Sequence, residues 1–281
     1  MEIKQRGSAF GYKILLLIYS IVGYRSVAFI LNFVALYYLF FTPSVKKAMR
    51  SYYRHLGIEP TNRVYFNHIK MFALSIFDRF VSRINPEELK FDIHNLEALD
   101  LFEEGGIVLL SHVGSWATAA HCLQDGILSM HIVMRENTQE NIYQVEQSNQ
   151  RYNEQSVKII DLNQGKMAAN IQIANALINK EVVAMMADRA VDKMQVVEVD
   201  FFGSKVKMNK TPFEIAKRLN KPLVAIFVLN TGVKKYDLMF ESIALGSITA
   251  MAQTYSDRLE KVLKKHPNQW YNFYDFFAGV K

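Results

Sequence analysis

The sequence predicts an α/β domain, with a central, mainly parallel sheet flanked by helices and an apolar helical segment at its amino end. Three observations carry this. From residue 107 onward, short apolar runs alternate with amphipathic stretches, the order expected of a parallel sheet with crossover helices. Half of the 281 residues are hydrophobic, enough for a sizeable core. The apolar stretch from Ile14 to Phe41 differs in character from everything after Pro43. The chain therefore divides into an anchor, residues 1–43, and an α/β domain, residues 44–281.

The elements follow in order. "KILLLIYSIVGY" and "SVAFILNFVALYYLFF" are apolar and aromatic, interrupted at Gly23 and Arg25. Neither piece alone reaches the roughly 20 residues that cross a bilayer. Together they cross with tilt, or they lie as two helices in one leaflet. Lys4, Arg6 and Lys13 precede them and Lys46, Lys47, Arg50 and Arg54 follow. Cations on both sides fit attachment to the cytoplasmic leaflet better than a clean crossing. A helix pair buried in a soluble core is the alternative. No small-residue cleavage pattern marks a removable signal peptide.

Next, "RVYFNHIKMFALSIFDRFVSRI" places Tyr65, Ile69, Phe72, Ile76, Phe80 and Ile84 on one helical face. "PEEL" reads as a helix start and "NLEALDLFEEGG" as a glycine-terminated helix. Strands are expected at Ile107–Leu110, Met130–Met134, Val157–Ile160, Val182–Met186 and Leu223–Val228. Helices are expected at Trp116–Gln124, Gln139–Gln155, Lys166–Asn179, Pro212–Leu219 and Thr249–Lys264. "VVEVDFFGSKVKM" reads as a hairpin turning at Gly203-Ser204.

Charge and cysteine content narrow the function. The net charge is +6 and the isoelectric point about 9.2, which suits a membrane surface, an acidic carrier protein or nucleic acid. Nucleic acid fits least: the cations are not interleaved in a recognised module, and an apolar anchor has no use there. The single cysteine, Cys122, forms no internal disulfide and reads as a small buried hydrophobe in a reducing compartment. The chain has no G-x-S-x-G elbow, no P-loop and no C-x-x-C pattern, so neither those chemistries nor a metal site is expected.

"IVLLSHVGSWATAAHCL" carries the first site. A buried strand ends at Leu110, and Gly114-Ser115 opens a helix with Ser115 at its N-cap. His112 thus lies at the carboxyl end of a strand, the edge where open α/β sheets bind ligands. A local packing role is the alternative for this histidine.

"SHVGSW" resembles the first motif of the bacterial lipid A late (lauroyl/myristoyl) acyltransferases, within the lysophospholipid acyltransferase-like superfamily. "HIVMRE" resembles that family's strand ending in an arginine, here Arg135. "VVAMMADRAVD" resembles the block holding Asp188-Arg189. "VDFFGSKVKMNKTPFEIAKRLNKPLV" resembles its Phe-Phe-Gly and Thr-Pro segments, and "HPNQWYNFYDFF" its closing Pro-x-x-Trp motif. The matches occur in family order across residues 10–277.

The resemblance implies a reaction. An acyl thioester on acyl carrier protein or coenzyme A is attacked by a hydroxyl of a membrane lipid acceptor, at the cytoplasmic face of a bacterial inner membrane. No cofactor takes part. The histidine of an H-x-x-x-x-D/E motif, here His112, acts as general base, and its carboxylate holds the imidazole. In this chain that carboxylate position is Ala117. The acid has been replaced by engineering, or another acid supports His112, as in the branch associated with aryl polyene and flexirubin pigments. A third reading is an inactive acyl or lipid binder.

Asp188, following the apolar run "VVAMMA", is the best substitute; an ion pair with Arg135 or Arg189 is its alternative role. Asp125 and His121 read as surface and structural residues. Arg135 and Arg189 suit phosphate or oxyanion binding, Ser115 substrate contact besides its place at the helix start, Trp116 the acyl path or the helix start, and Phe201 and Phe202 an acyl pocket or core packing. Lys210, in a basic run with Lys205 and Lys207, suits a lipid or carrier phosphate.

Overall fold

The structure, a computed structural model, describes residues 8–119, 130–135, 157–189 and 194–278. The expected helix over 139–155, most of that over 116–124, and Asp125, His121 and Cys122 lie outside the described residues.

Three helices come first: α1 (Ala9–Phe41), α2 (Pro43–His55) and α3 (Asn62–Ile84). α1 is capped by Ser8, whose hydroxyl accepts from the Gly11 amide, and it breaks at Gly23 (φ 77°, ψ 177°), a conformation open chiefly to glycine. The break separates the two apolar pieces seen in the sequence. Tyr24, Val27, Leu31, Ala35 and Leu39 recur at helical spacing and are buried. Phe29, Phe33, Tyr37, Phe40 and Phe41 are exposed on the helix. α1 is long and apolar enough to cross a membrane by length and composition. The cationic α2 was not expected, although Val45, Met49, Tyr52 and Tyr53 bury one of its sides.

Strands β1 (Lys90–His94), β2 (Gly106–Leu110), β3 (Met130–Met134), β4 (Val157–Asp161) and β5 (Val182–Met186) follow, with helix α4 (Lys166–Ile178) between the last two. "PEEL" and "NLEALDLFEEGG" form short 3-10 helices rather than α-helices. β6 (Val196–Phe201) and β7 (Ser204–Asn209) make a separate antiparallel hairpin, before α5 (Thr211–Leu219). Its turn is Phe202-Gly203, one residue earlier than expected. Both turn residues have positive φ, 47° and 73°, as a two-residue type I′ connection requires. β8 (Leu223–Gly232), β9 (Lys235–Ile243) and α6 (Ile248–Lys265) complete the chain.

Among the described residues the main sheet has seven strands in the order β1-β9-β8-β2-β5-β3-β4. Every neighbouring pair is parallel except β8–β9. β2 is central and wholly buried, because both faces of such a sheet are covered. Its side chains alternate. Ile107 and Leu109 join a core with α2, α4, α5 and α6; Val108 and Leu110 join a second with Tyr24, Val27 and Leu31 of α1 and Phe77 and Val81 of α3. At this second layer Asp78 of α3, fully buried, accepts from the Tyr236 hydroxyl.

Candidate active site

The register of β2 against β5 builds the site. Leu110 pairs with Met186, and the Ala187 amide donates to the Leu110 carbonyl at 2.9 Å. His112 and Asp188 each lie two residues beyond that pair, so they leave the sheet side by side. The His112 amide donates to Asp188 Oδ2 at 3.0 Å. His112 Nδ1 stands 3.0 Å from Oδ1 and 3.2 Å from Oδ2. The Trp270 indole N–H donates to Oδ2 at 3.0 Å. Asp188 has no exposed side-chain surface, whereas His112 is 31% exposed.

These donors set the charges. Burial opposes a charged Asp188, but His112 and the Trp270 indole outweigh it and hold the carboxyl below the usual carboxylate range. A carboxylate only accepts, so Nδ1 carries the hydrogen. In that tautomer the lone pair of an uncharged imidazole lies on Nε2, the nitrogen that is not spent on Asp188.

The loop between β2 and the next helix is held on both sides. The Gly114 amide donates to the Gln269 carbonyl at 2.7 Å, the Ser115 amide to Val228 at 2.8 Å, and the Tyr271 amide to His112 at 2.9 Å. Gly114 has φ +64°, and a Cβ there would lie 1.8 Å from the Val228 carbonyl oxygen. Only glycine fits that approach.

Ser115 precedes the helical turn at residues 116–119. Its hydroxyl donates to the Ser75 carbonyl at 3.3 Å and accepts from Thr118 at 2.8 Å, tying the loop to α3. Asn209 braces Asp188 from the far side: its amide donates to the Ala187 carbonyl at 3.1 Å and its side chain to the Met186 carbonyl at 2.7 Å. Tyr255 of α6 donates to the Leu110 carbonyl at 3.2 Å.

The other residues singled out in the sequence are spread around this pair. Arg135 is exposed just past β3, on the sheet edge that also carries His112 and Asp188. Arg189 lies half-buried with its guanidinium 4.6 Å from the Tyr274 ring centroid. Trp116 is half-buried against the second core. Phe201 is sealed in the first core, with the Phe202 and Trp270 rings 4.6 and 5.5 Å away. Phe202 is half-buried beside Tyr52. Lys210 pairs with Glu214 at 3.5 Å and exposed Lys205 with Asp200 at 2.9 Å.

Ala117 offers His112 no acceptor, and Asp188 meets Nδ1 in its place. Trp270, Gln269 and Asn209 escaped the sequence reading as parts of the site. The Pro-x-x-Trp motif was visible, but a motif does not say where its indole N–H points.

A family model described as bacterial lipid A biosynthesis acyltransferase matches residues 2–277. No curated protein matches the chain.

Proposed function

The chain belongs to the bacterial lipid A biosynthesis acyltransferase family, and on that premise we propose that it moves a fatty or polyene acyl group from an acyl thioester to a hydroxyl of a membrane lipid acceptor. The thioester is carried on acyl carrier protein or coenzyme A. His112 Nε2 removes the acceptor's hydroxyl proton as the oxygen attacks the thioester carbon. The imidazolium is stabilised by Asp188. The tetrahedral adduct collapses to the ester, the carbon–sulfur bond breaks, and the proton returns from Nε2 to the thiolate. Arg189 and Arg135 supply positive charge for the oxyanion or for a phosphate of either substrate. α1 attaches the enzyme at the cytoplasmic face of the inner membrane.

The carrying observation is the 3.0 Å contact between His112 Nδ1 and Asp188 Oδ1. It gives the histidine the acid that Ala117 does not supply. The test is acyl transfer by the purified full chain, with lipids read by mass spectrometry. His112→Ala is expected to abolish product; full activity in that variant overturns the general-base role. An absence of product from the wild-type chain with every acyl thioester tried would identify an acyl or lipid binder instead.

A further inference from the structure

His68 of α3 is fully buried and takes no part in the reaction above. Its Nε2 stands 2.9 Å from the Trp270 carbonyl oxygen. A carbonyl only accepts, so Nε2 carries the hydrogen. Nδ1 stands 2.7 Å from the Tyr53 hydroxyl. Burial pushes the His68 pKa down to about 4, so the ring is neutral and Nδ1 accepts from Tyr53. Both ring nitrogens are satisfied in one tautomer only. A leucine would fill such a space without the cost of burying two polar atoms, so packing alone does not account for the imidazole.

The chain of bonds ends at the site. Trp270 is held through its carbonyl by His68 and through its ring by Tyr52, whose centroid is 5.0 Å away at 67°. Its indole N–H reaches Asp188. The next residue's amide holds the His112 carbonyl. The geometry points to Tyr53, His68 and Trp270 as a positioning chain that fixes the Asp188 carboxylate against His112 Nδ1. In an H-x-x-x-x-D/E arrangement the acid rides on the helix that follows its histidine. Here it follows a different strand, and α2 and α3 brace it through the indole. The inference rests on reading His112 and Asp188 as the working pair.

The test combines turnover with ¹⁵N NMR of the His112 ring, on the full chain in detergent micelles. In the wild type His112 is expected to be a single Nδ1–H tautomer. His68→Gln, whose amide can donate to Trp270 and accept from Tyr53, is expected to keep both that tautomer and kcat. His68→Leu and Trp270→Phe are expected to give mixed tautomers. Their kcat should fall about 10- to 100-fold, the scale of one lost hydrogen bond to a charged group, with KM little changed.

Near-UV circular dichroism monitors the fold, and Trp270→Phe, which keeps an aromatic ring, decides alone if His68→Leu does not fold. Wild-type tautomer and kcat in Trp270→Phe overturn the inference, as does a His68→Gln variant no better than His68→Leu. The tautomer is read without substrate. Full activity in His112→Ala would therefore remove the general-base role while leaving the positioning chain to be decided on its own.

Discussion

Asp188 receives three N–H groups: the His112 ring, the His112 backbone and the Trp270 indole. Replacing its carboxylate with an amide sets an NH₂ against at least one of these donors and frees the imidazole to turn. Asp188→Asn should therefore cost as much as His112→Ala in an acyl-transfer assay, near the roughly 10⁴-fold loss seen when the acid of a serine-protease triad is neutralised. Ala117→Glu should give no gain in kcat, because Nδ1 already has its acceptor; a gain of orders of magnitude would show that Asp188 is not the working acid. That His112 and Asp188 come together was legible in the sequence because each follows an apolar run read as a buried strand, and parallel strands bring such ends to one edge; the roles expected of them came from the family resemblance. Trp270 and His68 were not. Orientation decides their roles, and His68 reads in the sequence as one polar position beside Ile69 on an amphipathic helix.

At the scale of elements, the membrane attachment proposed for α1 can be separated from its part in folding. Its exposed aromatics are free to enter lipid, while Tyr24, Val27 and Leu31 belong to the core. Changing Phe29, Phe33, Phe40 and Phe41 together to serine should release the protein from washed membranes and leave its thermal transition nearly unchanged. Deleting residues 1–41 should also release it, but at a cost of about 1.5–3 kcal/mol for each buried side chain lost from that layer. Retention of the serine variant in high salt would count against α1 as the anchor. Strands β2 to β5, β8 and the hairpin were legible from continuous or alternating apolar runs. β1 was not, since most of its side chains are exposed and it is held mainly by backbone pairing with β9. β9 alternates Tyr236, Leu238 and Phe240 inward, a period-two signal that a search for continuous apolar runs passes over.

Over the whole molecule, two buried groups oppose each other as pH changes. Asp78, raised by burial to about 6, stays protonated in the fold only up to that pH; its contribution is full below its unfolded pKa of about 4 and is lost as pH rises through 6. His68, lowered by burial to about 4, contributes fully above about 6.5, and this is lost as pH falls through 4. Each window spans about 3 kcal/mol, so the two slopes largely cancel between pH 4 and 6. Asp78→Asn should remove one of them. Its melting temperature should exceed the wild type's at pH 7–8, and the gap should close toward pH 4. Equal melting temperatures at both pH values would show that Asp78 is ionised in the fold without penalty. The site itself also has a place in time. His112 and Asp188 are 76 residues apart, and Trp270 is 82 beyond Asp188. Loops that long are closed late, after local helices and hairpins have formed. On refolding from denaturant, the capacity to transfer an acyl group should thus return in the slowest kinetic phase, well after helical circular dichroism has recovered.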